Sequence, residues 1–393
     1  MDLTPHPRIE ELRREFRTWL RSNLPPREGW ERLRHRPGAD PERLDFLRAW
    51  QRRLAEARWV AVHWPVEYGG RGGSLLEHLV VQEELLRAEA PPLVNGPSLA
   101  IFGPTLLACG TPEQKRRFLP PLVRAEEIWC LGFSEPDAGS DLASLRTRAV
   151  REGDFWVVDG QKVWSTYANQ ADWCFLLVRT DPEAPKHRGI SCLLVPMRTP
   201  GITVRPLREI TGDTDFNEVF FDRVRVPAEN VVGEVHRGWQ VVLTALGHER
   251  GTLVVVEHVR YRRALDRLES FVAATRRRSD PRIRQALAQF EIEVKLVELR
   301  ALRVLGDLER ARPPTDVSVL KLFASEMVQR LQDFALTLQG PYAQLWRGTP
   351  RAIDDGDTQY QWLMARASTI ASGTSEVQRN IIAERLLGLP RGG

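Results

Sequence analysis

The chain changes its hydrophobic period twice, and that change constrains its fold more than any other feature. Between residues 128 and 227 stand short runs rich in β-branched and aromatic residues: IWCLGF, DFWVVD, WCFLLVRT, GISCLLVPM, ITVRPL and NEVFFDRVRVP. Turn signals separate them, at Glu152-Gly153-Asp154, Asp159-Gly160 and Asp181-Pro182. Runs of that length and punctuation read as strands. The flanks have a helical period instead. EELRREFRTWL (10–20) puts Leu12, Phe16, Trp19 and Leu20 on one face, and RLDFLRAWQRRLAEA (43–57) does the same with Leu44, Leu47, Trp50 and Leu54. A Pro- and Gly-broken loop, HWPVEYGGRGG (63–73), precedes a helix over about 75–90 that ends before Pro91-Pro92. After residue 236, segments near 238–275, 282–311 and 316–338 carry Leu, Val, Ile and Phe at three- and four-residue steps. Thr315 is the expected N-cap of the third, and a final helix over about 375–387 is expected to open on a capping box of Ser375 and Gln378. The expected fold is α+β: a helical domain (1–125), a middle antiparallel β domain of sandwich or barrel type (126–235) and a C-terminal helical bundle (236–393).

Composition removes several function classes. With 393 residues, the chain is long enough for two or three domains. No apolar run approaches the roughly 18–20 residues of a membrane span. The N-terminal MDLTPHPRIEELRREF has no apolar signal core, so a cytoplasmic protein without a membrane partner is expected. The 56 basic and 52 acidic residues leave a net charge of +4, and the basic clusters, RLRHR (32–36) and RRR (276–278), are short, so a nucleic-acid partner is not expected. Cysteines at 109, 130, 174 and 192 have neither CxxC spacing nor a supplementing histidine cluster; buried free thiols are expected, with no metal site and no disulfide framework. No GxGxxG follows a strand, no GxxxxGK[ST] or GxSxG occurs, and GGRGG (69–73) reads as a turn.

Five longer strings remain: WPVEYGGRG (64–72), FSEPDAGSDLASLRTRA (133–149), DGQKVWSTYANQADW (159–173), FNEVFFDRVRVPAENVVGE (216–234) and GTSEVQRNIIAERLLG (373–388). In order and spacing the sequence resembles the acyl-CoA dehydrogenase family across residues 10–390. The resemblance implies an α domain, a β domain and a four-helix C-terminal domain. It implies an oxidoreductase of fatty acid metabolism that converts an acyl-CoA to its trans-2-enoyl-CoA, with FAD as cofactor. A base removes the α-proton, and hydride leaves the β-carbon for flavin N5.

With no Rossmann loop, hydroxyls and backbone N–H groups must hold the flavin. The resemblance places Leu131, Phe133, Ser134, Gly139, Ser140, Trp164, Ser165, Thr166, Gly340, Thr374 and Glu376 at cofactor-contacting positions. Ser134 and Thr166 match residues aimed at the ring edge, Thr166 at N5, and Trp164 an aromatic packed on the isoalloxazine. Ser140, Arg250 and Gly373 match substrate-contacting positions. Two departures touch the adenosine half of the cofactor site. The family's Arg-x-x-Phe-Gly segment is replaced by TRRRSDPRIRQ (275–285), and Gly340 stands alone where many members have a glycine pair.

A third departure concerns the base. Many members carry the catalytic glutamate where this chain has Ser372, and a serine hydroxyl without a partner cannot deprotonate carbon. A minority carry it on another helix, directly before an arginine; LGHERGT (246–252) has Glu249 followed by Arg250 there. The resemblance therefore assigns the base to Glu249. Read alone, Glu249 and Arg250 could be a surface ion pair, and His248 is a rival base. The implied partners are an acyl-CoA, an electron-transferring flavoprotein or similar acceptor, and further copies in a homodimer or homotetramer. Two alternatives remain open at this point: a non-catalytic subunit of a heteromeric acyl-CoA dehydrogenase, and a flavin monooxygenase or oxidase on the same fold.

Overall fold

The computed structural model describes residues 6–310 and 317–390, the side chains of 249–254 and 308–309 excepted. The chain divides into two compact units, Met1–Glu249 and Arg250–Gly393.

The first unit opens with helices α1 (Pro7–Asn23), α2 (Arg27–Glu31), α3 (Pro41–Glu56), α4 (Leu75–Arg87), α5 (Gly96–Ala100), α6 (Phe102–Cys109) and α7 (Pro112–Val123). Their starts are chemically marked. Proline begins α1, α3 and α7, where its missing N–H costs no helical bond. Asp40 accepts the Arg43 N–H at 3.0 Å to cap α3, and Ser74 with Glu77 closes a capping box on α4.

Strands β1 (Trp129–Gly132), β2 (Arg148–Glu152), β3 (Phe155–Lys162), β4 (Trp173–Arg179), β5 (Ile190–Pro196), β6 (Ile202–Pro206), β7 (Asn217–Pro227) and β8 (Val231–Val232) follow. Hydrogen bonds join them in one sheet, ordered β6-β7-β3-β2-β4-β5-β8. The ladders are antiparallel except at β4, which pairs parallel with β1 along Trp129–Gly132 and with β2 at Arg148. β4 and β5 are buried on both faces. Phe175, Leu177, Ile190, Cys192 and Leu194 join the core cluster of the helices, with Phe16, Leu54, Trp64 and Phe102. Cys174, Leu176, Val178, Leu193 and Val195 point the other way, into a core shared with Trp156 and Val219. Two-sided burial explains why WCFLLVR is continuously apolar rather than alternating.

Helix α8 (Gly238–Ala274) contains the boundary between the units. The second unit continues with α9 (Pro281–Glu309), α10 (Val317–Gln339), α11 (Asp357–Ser368) and α12 (Ser375–Ile381), the last running into a π turn at Ile382–Leu386. Buried residues recur at helical spacing, among them Val255 and Val259 on α8, Val294 and Val297 on α9, and Leu320 and Ala324 on α10. The expected cap Thr315 lies outside the described residues. The expected box of Ser375 and Gln378 is corrected: Thr374 caps α12, accepting the Val377 N–H at 3.2 Å. Among the described residues the four cysteines are free, three of them buried and Cys109 half-buried, and no helix is long and apolar enough to cross a membrane.

Candidate active site

In the first unit, the chain leaving β1 and the chain leaving β3 run side by side. The Val163 N–H donates to the Ser134 carbonyl at 2.9 Å. This sets Phe133 and Ser134 beside the chain entering the Trp164–Thr166 turn, while Leu131 lies in β1 opposite Phe175. Below them the fully buried Lys162 ammonium donates to Glu135 at 2.8 Å and to the Phe133 carbonyl at 3.1 Å. Glu135 also accepts the Arg146 and Thr147 N–H groups, at 2.6 and 2.9 Å. Burial pushes the Glu135 carboxyl up, but Lys162 and these donors outweigh it and hold it below the usual carboxylate range. Burial lowers Lys162, against the pull of Glu135. Two backbone hydrogen bonds between Glu135 and Ala138 close the next turn, and Gly139 and Ser140 are exposed just beyond it. A Cβ at Gly139 would meet nothing within 4 Å, so that surface is open to an approaching group.

The turn after β3 is unusual. Trp164 and Tyr167 are left-handed, at φ 61° and 57°. For bulky residues this conformation costs on the order of 1–3 kcal/mol each and persists only where neighbours enforce it. Its effect is to hold the Trp164 indole outward, 59% exposed, with Phe216 edge-on at 5.9 Å. The half-buried hydroxyls of Ser134 and Thr166 have no hydrogen-bond partner among the described residues. An exposed aromatic face beside uncommitted neutral donors fits a planar ring system with polar edges, which is what a flavin presents. The buried Tyr167 phenol is pushed up to about 12 by burial and by the Asp215 charge. Asp215 is itself raised by burial, against the pull of Arg43, 3.5 Å away.

In the second unit, the GTS segment forms a tight turn ahead of α12. Ser372 and Gly373 are left-handed, at φ 56° and 88°. Lys321 donates to the Gly373 carbonyl at 2.6 Å, and Gln378 to the Ser372 carbonyl at 2.9 Å. A side chain at Gly373 would be strained at that φ, and its Cβ would lie 2.6 Å from the Gln378 amide nitrogen, which would have to move. The Glu376 carboxyl, in the first turn of α12, is held low by its own backbone N–H and the Thr374 hydroxyl. Gly340, at φ 57°, ends α10. Arg277 is engaged within its own chain, donating to the Leu338 carbonyl at 2.6 Å. The backbone of Glu249 and Arg250 lies in α8; their side chains lie outside the described residues.

Sequence reasoning missed three groups here. The Lys162–Glu135 pair joins two strings that were read separately. His63 and His78, from different elements, meet ring to ring at 4.4 Å with a 45° tilt. Asn217 anchors the strained turn, and its one sequence signal is a carboxamide inside a strand, a position that disfavours Asn.

Fold and site together define a flavoenzyme-type dehydrogenase built of helical, β and helical parts. Residues 6–126, 130–224 and 236–387 match the N-terminal, middle and C-terminal domains of acyl-CoA dehydrogenase, and the chain belongs to that family of oxidoreductases acting on acyl-CoA thioesters. It is 40% identical to acyl-CoA dehydrogenase IpdE1 of Mycobacterium tuberculosis, over 98% of each chain. Among solved structures it resembles the Tcur3481-Tcur3483 steroid ACAD, at 31% identity over 100% of both chains and TM-score 0.89. It also resembles the ChsE4-ChsE5 complex of Mycobacterium tuberculosis, at 33% identity over 100% of both chains and TM-score 0.87.

Proposed function

We propose that this acyl-CoA dehydrogenase binds FAD against Trp164, Ser134 and Thr166, uses Glu249 as its base, and acts on a bulky, ring-bearing acyl-CoA of the steroid-derived class. The observation that carries the cofactor reading is the exposed Trp164 indole beside two uncommitted hydroxyls. FAD, when bound, supplies the hydride acceptor that the side chains lack. Phe133, Ser134, Ser165 and Thr166 would hold its ring, with Leu131, Gly139 and Ser140 along its approach. Gly340, Thr374 and Glu376 are the further cofactor positions of the second unit.

The chain's own task is the proton. The α-hydrogen of a thioester is weakly acidic, so a carboxylate must be positioned against it while hydrogen bonds stabilise the thioester oxygen. Ser372 cannot do this, and Glu249, followed by Arg250, is the carboxylate that replaces it. Ser140, Arg250 and Gly373 are the substrate positions. The substrate class rests on the steroid ACAD likeness. The acceptor of the electrons is proposed to be an electron-transferring flavoprotein, in the cytoplasm.

The expected assembly of identical copies has a competitor in a pairing of two related chains. Both solved relatives named above are pairs, Tcur3481-Tcur3483 and ChsE4-ChsE5. Native mass spectrometry of the purified protein, alone and co-expressed with a related chain, separates the two assemblies.

The deciding experiment is an anaerobic titration with straight-chain and steroid-derived acyl-CoAs, following the flavin band in wild type and Glu249→Gln. Wild type is expected to bleach fastest with the ring-bearing thioester. Glu249→Gln is expected to keep FAD and to slow by about 10²–10⁴-fold. Equal rates in the two proteins would remove Glu249 as the base. A yellow wild type that no acyl-CoA bleaches would favour a non-catalytic subunit, and rapid oxygen consumption by the reduced protein an oxidase or monooxygenase.

A further inference from the structure

The left-handed turn at 164–167 is held by the start of β7. Ser165 N–H donates to the Asn217 carbonyl at 3.1 Å, and Tyr167 N–H to the Asp215 carbonyl at 2.8 Å. Glu209 in turn accepts the Asp215 and Phe216 N–H groups, at 3.0 and 3.3 Å. Any residue at position 217 could make the backbone bonds. One further contact depends on the side chain: the fully buried Asn217 carboxamide donates to the Ser165 carbonyl at 3.0 Å and to the Asp215 carbonyl at 3.3 Å.

That geometry specifies the residue. Two carbonyl oxygens face one side-chain atom, so the amide nitrogen must point there and the oxygen away. The Asn217 oxygen and the neighbouring Ser165 hydroxyl are buried without partners among the described residues. An aspartate would set a charged acceptor against two carbonyls. A serine hydroxyl is too short to reach both. A buried, half-satisfied carboxamide is a costly choice for a strand, so its two donated bonds need a use. One of them holds the Ser165 carbonyl, between Trp164 and Thr166, and the other the Asp215 carbonyl that accepts the Tyr167 N–H.

We propose that Asn217 is a positioning residue for the flavin: its carboxamide fixes the Ser165 carbonyl, and through it the outward Trp164 indole and the Thr166 hydroxyl. The inference rests on the FAD reading given above. Without the clamp, the strained backbone relaxes, the indole leaves its outward pose, and the hydroxyl leaves the ring edge. Asn217 then governs FAD affinity and flavin potential without touching the cofactor.

The test uses purified holoenzyme of wild type, Asn217→Asp and the milder, uncharged Asn217→Ser. Asn230→Asp is the control: Asn230 also ties a carboxamide to a backbone carbonyl, that of Leu194 at 2.8 Å, in the same part of the chain. FAD dissociation constant, flavin reduction potential and Tm are measured for each. Both Asn217 variants are expected to bind FAD at least about tenfold more weakly, a margin well outside titration error, and to shift the potential. Asn230→Asp is expected to lose Tm with neither change. Wild-type affinity and potential in the Asn217 variants overturn the proposal. So does an equal change in Asn230→Asp, or failure of both Asn217 variants to fold, since each makes the clamp structural only. A wild type that takes up no FAD overturns the cofactor reading itself, an outcome read before any variant is compared.

Discussion

The molecule is sensitive at the level of single residues, and two half-buried histidines outside the candidate site show it. The His63 and His78 rings meet at 4.4 Å, tilted by 45°, and neither buried Nδ1 has a partner among the described residues. Burial, with a contribution from His248, pushes His63 down to about 4, and burial with His63 lowers His78 well below the ordinary value. An unfolded imidazole takes a proton near pH 6.5 while the folded one does not. Below that pH the unfolded chain binds more protons, so stability must fall as pH drops from about 6.5 towards 4. The loss attributable to His63 is on the order of 3 kcal/mol. Urea unfolding of wild type and His63→Phe at pH 7 and pH 4.5 checks this. The variant should lose much less stability on acidification, and parallel losses would remove His63 as the cause. The pairing was not legible in the sequence, because His63 sits in a loop and His78 on α4 and nothing local joins them. Trp164, by contrast, is a candidate that its string singles out, although its left-handed backbone is not legible there.

At the scale of elements, helices and strands were legible wherever the period was strong, and caps were not. The segment Thr374-Ser375 offered two hydroxyls, and Gln378, three residues after Ser375, pointed to the second. The structure uses Thr374, because Gln378 turns back to the carbonyls of Ser372 and Gly373 instead of closing a box. That choice makes Gly373 the hinge of the motif. Gly373→Ala must place a Cβ at φ 88° and 2.6 Å from the Gln378 amide nitrogen. The expected cost is about 1–3 kcal/mol, read as a lower denaturation midpoint and faster hydrogen exchange along α12. Unchanged α12 exchange would show that the turn tolerates a side chain. The proposed base rests on another kind of pattern: Glu249 is proposed because a carboxylate is missing at 372, and no single element displays that.

At the scale of the molecule, the sequence showed three textures but not how the first two share a core. An unbroken apolar run such as WCFLLVR identifies a strand without saying which residues face which way. In the structure Phe175 and Leu177 belong to the same buried cluster as Phe16, Trp64, Phe102 and Leu119, while Leu176 and Val178 belong to the other. Phe102 stacks on Trp129 at 4.0 Å and meets Phe175 at 5.3 Å, so helix α6 and strands β1 and β4 pack ring against ring. The helices and the sheet of the first unit should therefore unfold together rather than as two modules. Phe175→Ala deletes a fully buried ring at their junction, at an expected cost of about 3–5 kcal/mol. Native-state hydrogen exchange should show α6, α7, β4 and β5 losing protection by similar amounts. If the loss is confined to β4 and β5, the shared cluster is contact without cooperativity, and the helical part is stable on its own.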